Sequence, residues 1–320
     1  MNLAQQDWEA GNTADLRQML AATRDSPERG FEWDFWQRLT HLDLLTLRQY
    51  TAGIACAAYS PDGGRIVTCS EDGKLKMWDT ASGAMRLSVP SDLGYLVGVA
   101  FSPDGQRLAV GCASGVVKVF DARTGRELLT LDGHQNPVYG LAFSRDGRRL
   151  YTGSQERVVL WDCATGRILR SFPIQGDAVV AFSPDRSRCA SGHQIYDTVT
   201  GRVVVTTQVW LGRSIAFSPD GRRVAVPVST DAVVLDATTG RKILTLRGHT
   251  SWVWAVAYSP HGRCLLTAGG DTTARIWDAS TGEPLLTLKG HRGRILAASF
   301  SPDGRRVLTA GADGVSLIHI

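Results

Sequence analysis

The four residues SPDG at positions 60–63 decide the fold, because the same phrase returns at regular intervals along the chain. It stands again at 102–105, 218–221 and 301–304, and in variant form as SRDG at 144–147, SPDR at 183–186 and SPHG at 259–262. The seven copies begin 42, 42, 39, 35, 41 and 42 residues apart. Periodicity of this length indicates a repeat architecture, which outweighs the usual expectation of two domains for 320 residues.

Each copy has the chemistry of a tight turn between two β-strands. Serine and aspartate side chains bond nearby backbone groups, proline presets the turn, and glycine takes the left-handed conformation that reverses the chain. Alternating apolar residues precede the turn, as in VWAVAY (253–258), and a second run follows it, as in CLLTAG (264–269). A run ending in Trp-Asp or a related pair, a TGR-like turn and an LLTL-like run come next. Each repeat therefore predicts four antiparallel strands, named a to d.

Two further marks identify the type of repeat. The first is MWD ending at 79, VFD at 121, LWD at 162, IYD at 197, VLD at 236 and IWD at 278. The second is the pair Gly-His at 133–134, 248–249 and 290–291. Repeats of about 40–45 residues with these marks resemble WD40 repeats, each of which forms one blade of a β-propeller. The resemblance covers residues 42–320 and implies an all-β fold, a seven-bladed propeller, preceded by a short α-helical leader.

The last repeat ends with GVSLIHI (314–320), where Ile318-His319 aligns with Trp-Asp, so no strand d follows it. A matching strand d, LDLLTL at 42–47, stands before the first repeat. Because an unpaired strand edge is a liability, we expect 42–47 to pair with 315–320 and close the ring. The predicted domains are a leader at 1–40 and a propeller at 41–320.

Residues 1–40 do not repeat and predict short helices. Thr13 can cap a helix over 14–23, and Pro27 suits the first turn of a second helix. The stretch RGFEWDFWQRL (29–39) resembles the segment that leads into the WD40 array of large bacterial serine/threonine kinases, although no kinase motif is present. That resemblance implies a sensor or regulatory module of a kinase-linked signalling system. The apolar face of the leader either packs on the propeller or docks a partner.

The WD40 family has a hydrogen-bonding set beneath its loops, and the sixth copy carries all of it on matching positions: His249, Thr267, Asp271 and Trp277. A structural role is implied for these residues, because buried polar groups must be paired. The third copy departs from the set, with His134, Thr152 and Trp161 but Gln155 or Glu156 where the aspartate belongs.

In WD40 propellers the d–a and b–c loops form the top face, where partners usually dock. Trp, Tyr and Arg most often carry interface energy, so the candidates for partner binding are Tyr95, Tyr139, Trp210, Arg213, Trp252, Trp254 and Arg294. Capping the core of a blade is an equal alternative for any one of them. We expect the site to lie between blades six and seven and to reach blades two and three. No metalloprotease, hydrolase or nucleotide-loop motif is present, which favours a non-catalytic protein- or peptide-binding scaffold without cofactor or metal.

Charge and composition leave one alternative open at the opposite, bottom face. Arginines follow nearly every SPDG-like turn, which would suit an anionic ligand, but aspartates in the same turns favour a solvated rim. A net charge of +4 does not argue for nucleic acid, and no apolar run reaches the length of a membrane span. Six isolated cysteines and the lack of an export signal suit a reducing compartment. We expect a monomeric cytoplasmic protein.

Overall fold

The computed structural model describes residues 43–48, 52–89, 94–175, 179–211 and 214–319. Within these ranges the chain consists of short strands and turns, and no helix is present. The helical leader predicted for residues 1–40 lies outside the described residues.

The strands follow one another in groups that form seven sheets. The described part of the chain begins with β1 (Asp43–Arg48). Blade one contains β2 (Ile54–Tyr59), β3 (Arg65–Ser70), β4 (Leu75–Asp79) and β5 (Met85–Val89). Blade two contains β6 (Leu96–Phe101), β7 (Arg107–Cys112), β8 (Val117–Asp121) and β9 (Glu127–Leu131). Blade three contains β10 (Gly140–Phe143), β11 (Arg149–Gly153), β12 (Arg157–Asp162) and β13 (Ile168–Pro173), and blade four contains β14 (Ala181–Phe182), β15 (Arg188–Asp197) and β16 (Val203–Leu211). Blade five contains β17 (Ala216–Phe217), β18 (Arg223–Val228), β19 (Asp231–Asp236) and β20 (Lys242–Leu246). Blade six contains β21 (Val253–Tyr258), β22 (Cys264–Gly269), β23 (Ala274–Asp278) and β24 (Pro284–Leu288). Blade seven contains β25 (Ile295–Phe300), β26 (Val307–Gly311) and β27 (Val315–His319).

The first described strand, β1, is the outer strand of the last blade. The order of that sheet is β1-β27-β26-β25, and β1 runs antiparallel to β27, with Leu45 opposite Ile318 and Leu47 opposite Ser316. The described strand is Asp43–Arg48, one residue later than the 42–47 expected from sequence. Both ends of the described chain thus contribute to one blade, and the ring is closed by backbone pairing.

The SPDG phrase forms the a–b turn, as the second copy shows. The hydroxyl of Ser102 donates to Asp104 (2.5 Å), and Ser102 Oγ accepts from the backbone N–H of Arg107 (2.9 Å). Gly105 has φ of +67°, a left-handed conformation in which a side chain would be strained. The serine and aspartate side chains therefore supply hydrogen-bond acceptors for backbone N–H groups in the turn. This role explains why the same residues recur at each a–b turn.

The aspartate of each Trp-Asp pair has a separate task at the c–d turn. In blade six, Asp278 Oδ1 accepts from the backbone N–H groups of Ser280 (2.8 Å) and Thr281 (2.9 Å). The same arrangement appears at Asp121, Asp162, Asp197 and Asp236. This half of the Trp-Asp mark is therefore a turn-forming residue at the surface.

The hydrophobic core is divided among the seven junctions between neighbouring blades. At the junction of blades five and six, Trp277 is buried against Leu265, Val234 and Leu246. The junction of blades seven and one contains Leu47, Ile66, Trp78, Leu308 and Ile318. Because β1 supplies Leu47 to this last cluster, the ring closes through apolar packing as well as through the ladder.

Blade four departs from the four-strand repeat that the sequence predicts. Its sheet contains three strands, because β15 includes both the b and c segments. The backbone N–H of Thr198 donates to Ser187 O (2.9 Å), so the two ends of this ten-residue strand lie side by side. The strand therefore doubles back on itself near Gly192, whose φ is +59°. The shortened copy at 187–197 has lost the b–c loop that other blades raise on the top face.

Arginines that follow the SPDG-like turns join neighbouring blades. Arg107 of blade two donates to the carbonyl oxygen of Gly147 in blade three (2.7 Å), and its guanidinium lies 5.6 Å from the ring centroid of Phe143. Equivalent bonds to the next blade are made by Arg65, Arg188 and Arg223. Charge-assisted hydrogen bonds and stacking on an aromatic ring give these side chains a structural role at the bottom face.

The junction of blades three and four is linked in the opposite direction. Arg149 is exposed, and no hydrogen bond from its side chain to blade four is found among the described residues. Arg186, which replaces glycine in the variant SPDR and has φ of +64°, instead donates back to Phe143 O (3.0 Å). Arg186, the residue that departs from the repeat, thus provides the hydrogen bond between blades three and four that Arg149 does not make.

We expect Arg107→Ala to lower the free energy of unfolding by about 2 kcal/mol, because it removes a charge-assisted bond and a cation–π contact. Arg149→Ala is the matched control and should change stability by less than about 0.5 kcal/mol. Urea unfolding of both variants measures the difference. Equal losses would show that the inter-blade bond of Arg107 contributes nothing beyond an exposed arginine.

Candidate partner-binding site

The loops of blade six are supported by a continuous hydrogen-bonded chain. Asp271 lies 2.9 Å from His249 Nδ1, His249 Nε2 lies 2.8 Å from Thr267 Oγ1, and the indole of Trp277 donates to the same hydroxyl oxygen at 2.8 Å. Burial lowers the pKa of His249, so its imidazole is neutral near pH 7. A proton on Nδ1 then satisfies Asp271, while Nε2 accepts from Thr267. Every polar side-chain atom that links His249, Thr267, Asp271 and Trp277 therefore has a suitable partner.

Asp271 also ties the loop before strand a to the b–c turn. It accepts from the backbone N–H of Thr250 (3.0 Å) and from the hydroxyl of Thr273 (2.9 Å). Burial acts to raise the pKa of Asp271, but these bonds and His249 outweigh it and hold the pKa below its ordinary value. The carboxylate is therefore ionised and fixes two loops of the top face together.

Blade seven has a histidine in place of the tryptophan. His291 bonds Asp313 (3.0 Å) and Thr309 (2.9 Å), and Thr309 Oγ1 lies 3.2 Å from His319 Nε2. The expectation that Ile318-His319 replaces Trp-Asp was wrong by one residue, because His319 pairs with Val307 just as Trp277 pairs with Leu265. The spacing from the threonine, ten residues in both blades, is the sequence signal that identifies His319.

In blade three, two side chains divide the task of the missing aspartate. His134 Nδ1 lies 2.9 Å from Ser154 Oγ and His134 Nε2 lies 2.7 Å from Thr152 Oγ1. Glu156 accepts from the backbone N–H of Gln135 (3.1 Å), the bond that Asp271 makes to Thr250 in blade six. Glu156 thus replaces the aspartate at the backbone, whereas Ser154, which the sequence did not suggest, replaces it at the imidazole.

The histidine of blade three predicts acid sensitivity. Burial lowers the pKa of His134 from 6.5 to about 4, so the unfolded chain takes up this proton first as the pH falls. Stability should therefore be lost between about pH 6.5 and pH 4, by roughly 3 kcal/mol in total from this group. Urea unfolding across this window should give a shallower pH dependence for His134→Gln than for the wild type. Identical slopes would contradict the assignment.

The backbone at Trp252 and Val253, where blade six begins, is held by hydrogen bonds on both sides. The carbonyl oxygen of Trp252 accepts from Gly270 N (2.8 Å) in the b–c turn of the same blade. The next residue, Val253, donates from its backbone N to Ser229 O of blade five (2.8 Å). Ser229 has φ of +57°, a conformation uncommon for serine, in a b–c turn of only two residues. The low turn of blade five leaves space beside the loop of blade six.

This space is an apolar pocket of about 230 Å³ on the top face, above the b–c turn of blade five, between the end of β16 in blade four and the start of blade six. Its lining is Val209, Trp210, Pro227, Val228, Ser229, Trp252, Val253 and Trp254. Trp252 is 62% exposed and Trp210 is 43% exposed, which is unusual for such large apolar side chains. We call this site the tryptophan pocket.

Arg294 lies at the edge of the tryptophan pocket. Its guanidinium carbon is 5.6 Å from the ring centroid of Trp254, in position for a cation–π contact. The rings of Trp252 and Trp254 are 6.4 Å apart and inclined by 32°. The stacked arginine is exposed, so its remaining N–H groups are available to a carboxylate at the mouth of the pocket.

The structure brings together four of the seven predicted partner-binding residues: Trp210, Trp252, Trp254 and Arg294. Tyr95 lies elsewhere on the top face, where its hydroxyl donates to Glu71 of blade one (3.4 Å), and half-buried Tyr139 begins blade three. Arg213 lies outside the described residues. The expected centre between blades six and seven stays a prediction; the pocket lies above the low b–c turn of blade five, and Arg294, which precedes blade seven, lies at its edge.

Sequence reasoning missed the apolar wall opposite the tryptophans. Pro227 and Val228 end strand β18, and Val209 precedes Trp210 in a bulged part of β16, where Gly192 pairs with Leu211 but Gln194 pairs with Thr206. The short VPVST segment (226–230) was the available signal, since it leaves no room for a long b–c loop.

A larger cavity of about 610 Å³ lies at the bottom face of blades five and six. Its lining includes Asp220, Arg223, Tyr258, His261, Arg263 and Asp278. The carboxylates of Asp220 and Asp278 each accept bonds within their own turns, and Arg223 donates to Ala279 O (2.8 Å). The cavity therefore combines both signs of charge, with its principal arginine already engaged.

The described part of the chain contains neither a metal-binding cluster nor a membrane-spanning helix. No group of three or more His, Cys, Asp or Glu side chains is arranged to hold a metal ion in this part of the chain. No helix long and apolar enough to cross a membrane occurs there either.

Comparison with known families agrees with the repeat assignment. The family model described as "WD domain, G-beta repeat" matches residues 240–278 and 282–316, which include blade six and most of blade seven. The family model described as "Nucleolar protein 10-like, N-terminal domain", a β-propeller, matches residues 38–187. The chain thus contains WD40 repeats in a seven-bladed β-propeller.

Curated relatives match only short parts of the chain. Periodic tryptophan protein 2 of Saccharomyces cerevisiae is 35% identical over 77 residues, which is 24% of this chain and 7% of that protein. Nuclear distribution protein PAC1 is 55% identical over 42 residues in both Arthroderma benhamiae and Trichophyton verrucosum, which is 13% of this chain and 9% of each relative. Each match spans less than a tenth of the relative, so it extends to the repeat and not to the activity of the whole protein.

Proposed function

We propose that this chain is a non-catalytic WD40 scaffold that binds a protein or peptide partner through the tryptophan pocket. The observation that carries the proposal is the 62% exposure of Trp252 beside two further tryptophans in an apolar recess. Exposed apolar surface costs free energy in water, and a partner that covers it recovers that cost. Trp and Arg are also the residue types that most often dominate interface energies.

The dimensions of the pocket favour a protein side chain over a small-molecule ligand. Its volume of about 230 Å³ is below the roughly 300–1,000 Å³ usual for small-molecule sites. A cavity of about 150 Å³ already accepts one benzene ring, so one large apolar side chain fits. The hydrogen-bonded loops around Asp271 hold the pocket in place before binding, which reduces the entropy that a partner must overcome.

The arginine-rich bottom face offers less to an anionic ligand. Arg65, Arg107, Arg188 and Arg223 already donate to carbonyl oxygens of neighbouring blades, and aspartates line the larger cavity. A link to a kinase-based bacterial signalling system stays a prediction, because the residues that suggest it, 29–39, lie outside the described part and the relatives named above are fungal. The cytoplasmic location and the monomeric state likewise stay predictions.

Capture of a native partner tests the proposal. Trp252→Ala combined with Arg294→Ala should abolish capture from a host extract while the melting temperature stays nearly unchanged, because both side chains are exposed. Arg222→Ala combined with Arg305→Ala is the matched control, since both arginines are exposed on turns of the bottom face. Loss of the partner only in the control pair would contradict the proposed site and favour the bottom face.

A further inference from the structure

The top-face loops of blades five to seven carry an excess of exposed positive charge around the tryptophan pocket. The loop at 289–294 presents Lys289, Arg292 and Arg294, and the loop at 247–252 presents Arg247 next to the segment that holds Trp252. Arg247 lies 3.7 Å from Asp231 and is partly neutralised by it. The other three cations lie on the same short loop, whose end stacks on Trp254.

The acidic residues of these loops are already occupied. Asp271 faces His249 and Thr250, and Asp313 faces His291 and accepts from the backbone N–H of Arg292 (2.9 Å). Both carboxylates are therefore directed into the hydrogen-bonded supports below the surface. The two carboxylates keep their negative charge, but the side chains of Asp271 and Asp313 are only 8% and 15% exposed, whereas Lys289, Arg292 and Arg294 are exposed. The surface that this loop offers to a partner is therefore cationic.

The shape of the site distinguishes an acidic protein segment from nucleic acid. A single strand is held on successive stacking platforms that follow a cationic groove. Here the tryptophans surround one recess whose opposite wall is Pro227 and Val228, and Arg294, at the end of the loop that carries Lys289 and Arg292, lies on the Trp254 side. One apolar side chain beside several carboxylates matches this arrangement of charge and volume.

We propose that the segment recognised by this protein is acidic, with one large apolar side chain in the tryptophan pocket and neighbouring Asp or Glu residues on Arg294, Arg292 and Lys289. The inference rests on the proposed function and specifies the chemistry of its partner. Arg294 is suited to the first carboxylate, since its planar guanidinium is held by Trp254 and offers paired N–H donors. The cations determine how the acidic segment is positioned along the surface, whereas the apolar pocket contributes most of the affinity for it.

Fluorescence anisotropy with defined peptides tests the inference. The probes are labelled peptides with one central Phe, Leu, Ile or Trp, flanked on both sides by Asp and Glu, by Ser and Gly, or by Lys. We expect the best acidic peptide to bind about tenfold or more tightly than its Ser/Gly counterpart, with an advantage that decreases as salt is added. Arg292→Gln with Arg294→Gln should remove this advantage, Trp252→Ala should weaken acidic and neutral peptides alike, and Arg222→Gln with Arg305→Gln should change neither.

Three results would overturn the inference. The first is equal binding of acidic and neutral peptides by the wild type, and the second is tighter binding of a Lys-flanked peptide or of a thymidine oligonucleotide. The third is failure of every acidic peptide to bind. In each case the capture experiment still reports separately on the top face, because loss of a native partner from the Trp252/Arg294 variant does not depend on the charge of the peptides.

Discussion

Leu47→Asp will destabilise the whole ring by about 4 kcal/mol or more, although the residue lies in a strand at the edge of a sheet. Leu47 is 2% exposed and packs in the cluster that joins blades seven and one, with Ile66, Trp78 and Leu308. An aspartate there loses the apolar contacts of leucine and places a carboxylate in a cluster of apolar side chains. Because that junction closes the ring, its loss exposes the edges of two blades at once.

The matched control lies on the same strand. Thr46 is exposed on the opposite side of β1, so Thr46→Asp keeps the ladder to Leu317 and should cost less than about 1 kcal/mol. Urea unfolding, followed by tryptophan fluorescence, measures the free energy of unfolding of both variants. Removal of residues 1–48 should lower this free energy about as much as Leu47→Asp does, whereas removal of residues 1–40 should lower it less. Similar losses for Leu47→Asp and Thr46→Asp would mean that β1 does not close the ring.

Asp271→Ala should cause the second largest decrease in the free energy of unfolding, about 3 kcal/mol, because several hydrogen-bond donors in blade six share this one carboxylate as acceptor. The change leaves the imidazole of His249, the backbone N–H of Thr250 and the hydroxyl of Thr273 without their acceptor. Since Thr250 lies two residues before Trp252, we also expect weaker binding at the tryptophan pocket.

Blade three provides the comparison. Glu156→Ala removes the acceptor of Gln135 N, but His134 keeps Ser154 and Thr152, so the expected loss is about 1 kcal/mol. Thermal and urea unfolding of both variants measure the contrast. A loss for Glu156→Ala as large as that for Asp271→Ala would show that the division of roles in blade three is wrong.

The sequence predicts the all-β repeat and its turns well because both depend on local chemistry. Ser102, Asp104 and Gly105 bond within a few residues of one another, so the phrase that marks the period also builds the turn. The sheet of each blade follows from the same short-range order. Blade four is the exception, where the loss of several residues between Arg188 and Asp197 merged two strands into one hairpin.

The candidate site is less predictable because it depends on contacts between blades. Trp210 and Trp252 lie 42 residues apart and line one pocket only because blades four, five and six pack side by side. The pocket also requires the low turn at Ser229, whose carbonyl fixes Val253. Tyr95 has the same type of position in its own blade but lies beside Glu71 instead of an apolar wall, so residue type alone did not distinguish the two.

Site-specific photo-crosslinking determines directly whether a partner binds at the tryptophan pocket. A photoreactive phenylalanine analogue would replace Val228 or Thr250 beside the pocket, and Arg222 or Arg305 at the bottom face, each of which is exposed. We expect one protein partner to be crosslinked from positions 228 and 250 and not from 222 or 305. Excess unmodified propeller should compete for this partner, and the Trp252→Ala/Arg294→Ala variant should not. Crosslinking of that partner from 222 and 305 alone would contradict binding at the tryptophan pocket.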